Sequence, residues 1–562
     1  MAAGCLDQFR PVLTSEEIVV DHLRSGDYAV IADGSLPDAD QHERSVRGEF
    51  LKFLLLGGDE THRVHEKGIQ LRGALITGVL DLEGCRIHCG IALEDCRFAA
   101  APNVRAAIID NLNLNGSFLP GVRADVVEVR GGVSLAGATV EGGITLQGAK
   151  LGGPLNCDGA KISSANAVAL LGDDIVARSV TMRGASVVGA ISIVGAELGS
   201  DLNLAGIDIH SPDGFALKAN GIDVDGDVIL HSGRADGEIE IIGAHISGDF
   251  DCTGSKLQNP GKVTLRFNRS IVKGAWFLWK GARIDGVLDM TGATLSSIHD
   301  DLACWPGKGD LMLNRCLYDA LIGGTIDAEQ RLEWLARQSP GRWGEDFWPQ
   351  PYEQLASVYR AMGHEEDARA VLIAKERLQR RARRARSSNP FIWTLLAAKD
   401  GILGVTVRYG RQPLLAFFWL FFFWMTGVAL FGHAESHGAF KPASFVALRS
   451  PEWILCGFEP SEERVLLAMQ QPMAGRALPG QSQLDCYRSQ LEAASYPRFN
   501  AWMYSLDTLF PVLEIDQKNA WRPDPNKPWG RMAIAYFYLQ SVVGWALSLL
   551  AVAGFSGVVK SR

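Results

Sequence analysis

The chain lacks an excess of positive charge: 55 Lys and Arg stand against 64 Asp and Glu, a formal net charge of -9 at pH 7. No nucleic-acid partner is expected, because phosphate neutralisation needs a basic surface and the one arginine-rich run has no interleaved aromatics. Also missing are the glycine patterns that hold nucleotides. Neither Gly-x-Gly-x-x-Gly nor Gly-x-x-x-x-Gly-Lys-Ser/Thr occurs among the 61 glycines, which excludes a fingerprinted dinucleotide or triphosphate site. Gly-x-Ser-x-Gly and His-Glu-x-x-His are absent, and the ten cysteines include no Cys-x-x-Cys. No catalytic, cofactor-binding or metal-ligating residue is assigned on these grounds, and no cofactor is expected. His62 and His65 in THRVHEKG read as part of a solvated loop. The opening Ala-Gly-Cys has no apolar stretch before it, so no export signal is read and the region that follows is expected to stay inside with its cysteines as thiols.

What the sequence has is repetition. In GGVSLAGATVEGGITLQGAKLGGPLNCDGAKI, residues 131–162, the glycines at 137, 148 and 159 recur at eleven-residue steps, with Leu135, Leu146 and Cys157 two positions before them. Apolar positions alternate spacings of five and six, which fits neither a helix nor a long alternating strand. The spacing predicts a mainly β chain: a right-handed parallel β-helix whose coils of about 22 residues bend at every short face. Wider steps near Leu170, Leu217 and Leu265 imply a larger unit of two coils. Ala138, Ala149 and Ala160 follow the corner glycines, where a larger side chain meets the next coil; Cys85 and Cys96 share that column, so they read as corner fillers and not, with Cys89, as zinc ligands.

Helices are expected at both solenoid ends. Thr14 and Glu17 suggest a capping box, and Phe50, Leu51, Leu54 and Leu55 have helical spacing. After the repeats, YEQLASVYRAMGHEEDARAVLIAKE resembles one tetratricopeptide-type hairpin and is expected to pack on the second end. Two uncharged runs follow, 413–432 and 532–559, each long enough to cross a bilayer. Arg377, Arg380, Arg381, Arg383, Arg384 and Arg386 precede the first, while Lys560 and Arg562 follow the second. By the positive-inside rule both chain ends are cytoplasmic, and the six arginines are placed to meet anionic lipid headgroups. Cys456 and Cys486 then lie outside, where a disulfide is expected.

These features divide the chain into an N-terminal helical cap, 1–66; a solenoid, 67–300; a helical region, 301–390; a juxtamembrane segment, 391–412; a first span, 413–432; an extracytoplasmic loop, 433–531; and a second span, 532–559. GEFLKFLLLGG with IQLRGALITGVLDLEGCRI, and YSLDTLFPVLEIDQKNAWRP with VVGWALSLLAVAGFSGVV, resemble a group of bacterial proteins labelled membrane-associated oxidoreductases. The resemblance implies repeats joined to paired C-terminal spans and assigns no catalytic residue. The repeats also resemble pentapeptide-repeat solenoids, without their uniform five-residue step.

FNAWMYSLDTLFPVLEID, residues 499–516, reads as a short apolar helix broken at Pro511, followed by an acidic turn. Its place between two spans is similar in order to the pore module of two-span cation channels, with Asp507, Glu514 and Asp516 at the mouth, although the Thr-Val-Gly-Tyr-Gly filter is missing. The alternative is a helix flat on the outer face with Asp507 and Glu514 solvated. Gly544, Gly554 and Gly557 suit close packing of helices, including in a homo-oligomer. The expected function is binding or scaffolding of a protein partner at a bacterial inner membrane, with a gated pore as the alternative and an oxidoreductase third.

Overall fold

A computed structural model describes residues 6–59, 62–386, 389–457, 482–491, 493–510 and 512–555; the side chains of residues 166–167 and 554–555 are outside the description. The Ala-Gly-Cys motif, Pro511, Gly557, Lys560 and Arg562 lie outside the described residues. The chain forms two compact units, Met1–Lys375 and Glu376–Arg562.

The first unit is a parallel β-solenoid of about 11 turns. Two-residue strands begin at Glu128, Val133, Thr139, Ile144 and Lys150, so the faces do alternate five and six residues. Glu128 pairs with Lys150, Val133 with Leu155 and Thr139 with Lys161, each 22 residues on. The ladder runs through the bends: the amides of Leu135 and Gly137 donate to the carbonyls of Asn156 and Asp158 at 2.7 and 2.8 Å. Val129, Val133, Leu135, Val140, Ile144 and Leu146 point inward and are buried. Each contributes about 1.5–3 kcal/mol by burial, but ordering a residue costs about 1–2 kcal/mol, so one coil cannot persist without neighbours.

The wide steps are strands of 11 residues, Lys161–Leu171, Asp208–Lys218 and Lys256–Arg266, alternating with strands of seven, Ser186–Ser192, Arg234–Glu240 and Arg283–Asp289. Their extra residues leave the ladder as bulges, for example between Ser163 and Val168, while Leu170, Leu217 and Leu265 stay in the core. Every second coil therefore carries an excursion on the same face, and Val168 and Phe215 are exposed there.

Both ends depart from the expected boundaries. At the start, Ala29–Val30 pairs with Ile69–Arg72 and Ser45–Arg47 pairs with Leu75–Thr77, so the 1–66 cap already contributes strands to the stack. The helix Thr14–His22 begins after Leu13, and Glu16, not Glu17, reaches back to the Leu13 amide at 3.1 Å. Glu16 turns inward because its buried carboxylate also holds Arg47 at 2.6 Å. At the far end the solenoid passes residue 300: Leu317–Ile322 still pairs with Thr294–Asp300, because the inward column continues through Leu313 and Leu321.

The helix Ala328–Leu335 then closes the stack through Arg331, whose guanidinium makes two 2.7 Å bonds to Asp300 with both side chains fully buried. The hairpin of Gln350–Ala361 and Glu365–Ala385 turns at Gly363 and packs on the last coil as expected, with Gln354 donating to the Tyr318 carbonyl at 2.6 Å.

In the second unit three helices are long and apolar enough to cross a membrane: Pro390–Gly410, Leu414–Ser436 and Gly530–Ala553. The first covers most of the segment 391–412 expected to be juxtamembrane. Lys399 and Asp400 interrupt its apolar run. Between the later two lie the short helices Pro451–Leu455, Gln483–Arg488 and Ala501–Leu509, and an antiparallel pair, Phe440–Pro442 with Trp521–Pro523.

The bends set a testable strain. Gly148 has φ +64°, and the equivalent bend one coil earlier is occupied by Val126 at φ +49°, half exposed. A left-handed L-residue costs about 1–2 kcal/mol, more than the roughly 0.5–1 kcal/mol of chain freedom that glycine adds to the unfolded state. Val126→Gly should raise the urea midpoint of the full chain in detergent, followed by circular dichroism. Gly148→Val should lower it, since its Cβ would also lie 3.3 Å from the Val126 side chain.

Candidate functional site

A buried polar arrangement within the apolar part of the chain surrounds the helix Ala501–Leu509. Asn500 caps it, accepting from the amides of Trp502 and Met503 at 3.0 and 3.3 Å. The helix wedges between Leu414–Ser436 and Gly530–Phe555 because both neighbours present glycine to it. A Cβ on Gly427 would overlap the Ser505 hydroxyl, and one on Gly544 would overlap the Leu509 carbonyl. Ser505 Oγ donates to the Trp424 carbonyl at 2.8 Å, and Gln540 Nε2 donates to Ser505 Oγ at 2.8 Å; Ser505 and Gln540 are fully buried. Tyr504 packs edge-on to Phe431 at 4.9 Å and to Phe440 at 5.2 Å, closing the wedge around an aromatic cluster. At the other end Leu509 joins Leu420 and Leu547, so the wedge runs well along both long helices.

The chain then turns back. Asp507 is fully buried and gathers the returning segment: its carboxylate accepts from the Lys518 amide at 2.9 Å and the Ile515 amide at 3.3 Å, and pairs with the Lys518 ammonium at 3.3 Å. This corrects both roles assigned to Asp507. It is neither solvated nor a free carboxylate at a mouth, because a buried charge without partners is too costly and Lys518 neutralises it. Glu514 and Asp516 are exposed, with Asn519 donating to Asp516 at 3.1 Å. The structure therefore separates one acid from the other two.

Cys456 and Cys486 form a disulfide with Cα atoms 5.6 Å apart, joining the helices Pro451–Leu455 and Gln483–Arg488 beside Tyr487 and Ala447. Two of the arginines expected at lipid headgroups hold a buried acid. Arg380 and Arg384 bond Asp400 at 2.9 and 2.8 Å, because Asp400 is nearly buried and needs a counter-charge. Arg377, Arg381, Arg383 and Arg386 are exposed. Ser505, Lys518, Gln540 and Asp400 escaped the sequence reading. A lone Gln or Asp within an apolar helix is the signal that could have found Gln540 and Asp400.

In the solenoid, Cys96, Cys157, Cys252 and Cys316 are buried. Burial pushes the thiols of Cys96, Cys157 and Cys316 up to about 12, and burial together with Asp251 raises Cys252 further. Such groups are poor nucleophiles and poor metal ligands, since both roles need the thiolate. Cys85 is only partly covered, and its Sγ lies 3.6 Å from the Glu83 carbonyl. His62 pairs with Asp59 at 2.8 Å, while His65 Nδ1 accepts from the Lys67 amide at 3.1 Å. Among the described residues no group of three or more His, Cys, Asp or Glu is arranged to hold a metal ion.

At pH 8 a thiol titrating near 12 is ionised to about one part in ten thousand. A maleimide added to the folded protein should thus modify Cys85 first, and Cys96, Cys157 and Cys316 only after unfolding, as read by peptide mass mapping. Simultaneous labelling would show that the coil interior is open to solvent.

Compared with known proteins, the chain matches no family model, no curated protein and no solved structure.

Proposed function

We propose that this chain is an integral protein of a bacterial inner membrane, with both ends cytoplasmic, that presents its solenoid as a binding or scaffolding surface for a protein partner. The observation that carries the reading is the joining, in one chain, of about 11 stacked coils to helices apolar enough to cross a bilayer. Stacking repeats outward positions at fixed intervals, so a partner meets rows of side chains and not isolated ones. The excursions on alternate coils add an uneven ridge to one face, with Phe215 and Val168 exposed along it. An oxidoreductase, the label of the group the sequence resembles, ranks behind this reading because the buried thiols are disposed as core fillers.

Topology is the direct test. In spheroplasts with intact membranes the solenoid should resist added protease and be cut only after permeabilisation, while the protein stays with the membrane through carbonate extraction. A photo-crosslinking residue at Phe215 should give one defined protein adduct in cells. Digestion from outside overturns the orientation, and loss of membrane association overturns the class.

A second reading, a cation pore formed by a homo-oligomer and gated by the cytoplasmic unit, is favoured by the wedge between the Leu414 and Gly530 helices and by the turn-back at Asp507. In this reading Glu514 and Asp516 ring the outer entrance and concentrate cations. Glu514→Gln with Asp516→Asn should lower cation current in reconstituted bilayers and leave melting unchanged, both being exposed. Absence of current from folded protein, with and without the solenoid, removes the pore.

A further inference from the structure

The helix Pro390–Val407 is apolar around most of its circumference and carries one buried charge. Asp400, buried, sits on the face turned to the last turns of Glu365–Ala385, where Arg380 and Arg384 bond it at 2.9 and 2.8 Å and Arg380 also lies 5.0 Å over the Tyr409 ring. Leu396 and Ala397, on the same side, are half-buried. Phe391, Leu395, Ile402 and Val405 fall on the opposite side at helical spacing, and all are exposed. Phe391 and Leu395 are the most exposed of the four, while Ile402 and Val405 line a groove with Trp419 and Phe423, where Trp419 Nε1 donates to the Val405 carbonyl at 3.1 Å; the stripe thus lies back to back with an arginine-bearing helix.

We infer that Pro390–Val407 does not cross the bilayer but lies along its cytoplasmic surface, with the stripe sunk into the boundary between headgroups and acyl chains. The inference rests on the reading of the chain as a membrane protein. Length and hydropathy alone allow this helix to span. Asp400, however, stands near its middle, so a transverse orientation carries Asp400, Arg380 and Arg384 to the bilayer centre together with the charged helix that bears them. Charged side chains are least tolerated at that depth. Lying flat keeps those groups on the water side. The occupant facing the stripe is an anionic lipid surface: the same basic helix exposes Arg377, Arg381 and Arg383, which complement acidic headgroups. The Leu414 and Gly530 helices remain as the two spans.

The test uses the full chain in vesicles of phosphatidylethanolamine and phosphatidylglycerol, with a genetically encoded nitroxide at Phe391, Leu395 or Ile402 and relative accessibility to oxygen and a nickel chelate. All three positions should report one shallow depth, about 5–10 Å below the headgroup boundary. A spanning helix would instead bring Leu395 and Ile402 toward the centre of the roughly 30 Å hydrocarbon core, well below Phe391. That gradient overturns the inference, as does a wholly aqueous reading at the three positions. A nitroxide at Phe421 separates the two levels: if it too is aqueous, the membrane reading itself fails.

Discussion

Everything in the larger unit depends on the parallel hydrogen bonds between one coil and the next. The bends close short bonds within a coil, as Ala138 does to Leu135, but the strand amides reach 22 or so residues along the chain for their acceptors, as Leu135 does to Asn156. The columns of Leu, Ile, Val and Ala are then buried by stacking alone. Two consequences follow from the same constraint. The bends must recur in register, so the left-handed backbone is imposed even where the residue is Val126, Asp174 or Ser232. The ends must also be covered, because the first and last coils have a neighbour on one side only.

Covering the last coil requires a polar solution. Asp300 ends its strand with a carboxylate in the interior, and Arg331, the Trp305 indole and the short helix that bears Arg331 enclose it. Removing one partner from such a pair is far more destabilising than replacing both with apolar groups of similar volume. Its place is at a junction where a helix must be fixed on a sheet end. Tyr359 adds a second tie, donating to the Ile326 carbonyl at 2.5 Å.

The second unit follows the same rule among apolar helices. Polar groups set among apolar helices are bonded in sets, Ser505 with Trp424 and Gln540, Asp507 with Lys518, and Asp400 with Arg380 and Arg384, while Gln540 Oε1 and the Tyr504 hydroxyl have no hydrogen-bond partner among the described residues. Each set joins segments that hydrophobic contact alone would leave free to slide. The wedge helix is held in one register by glycines that admit it and by a glutamine that bonds it.

The sequence by itself determined what is periodic. Coil length, the inward columns, the corner glycines and the alternate widening at Leu170, Leu217 and Leu265 were legible because each is a local rule repeated many times, so that a chance match at one coil is corrected by the next. The apolar runs of Leu414–Ser436 and Gly530–Phe555 were legible for a similar reason, since crossing hydrocarbon demands an unbroken stretch. Only the tertiary structure decided what happens once. That Asp507 is buried against Lys518, that Asp400 binds both Arg380 and Arg384, that strands continue past residue 300 and that Glu16 supplants Glu17 all depend on which side chain meets which across space. A single charge in a sequence carries no record of its partner, and burial makes that partner indispensable.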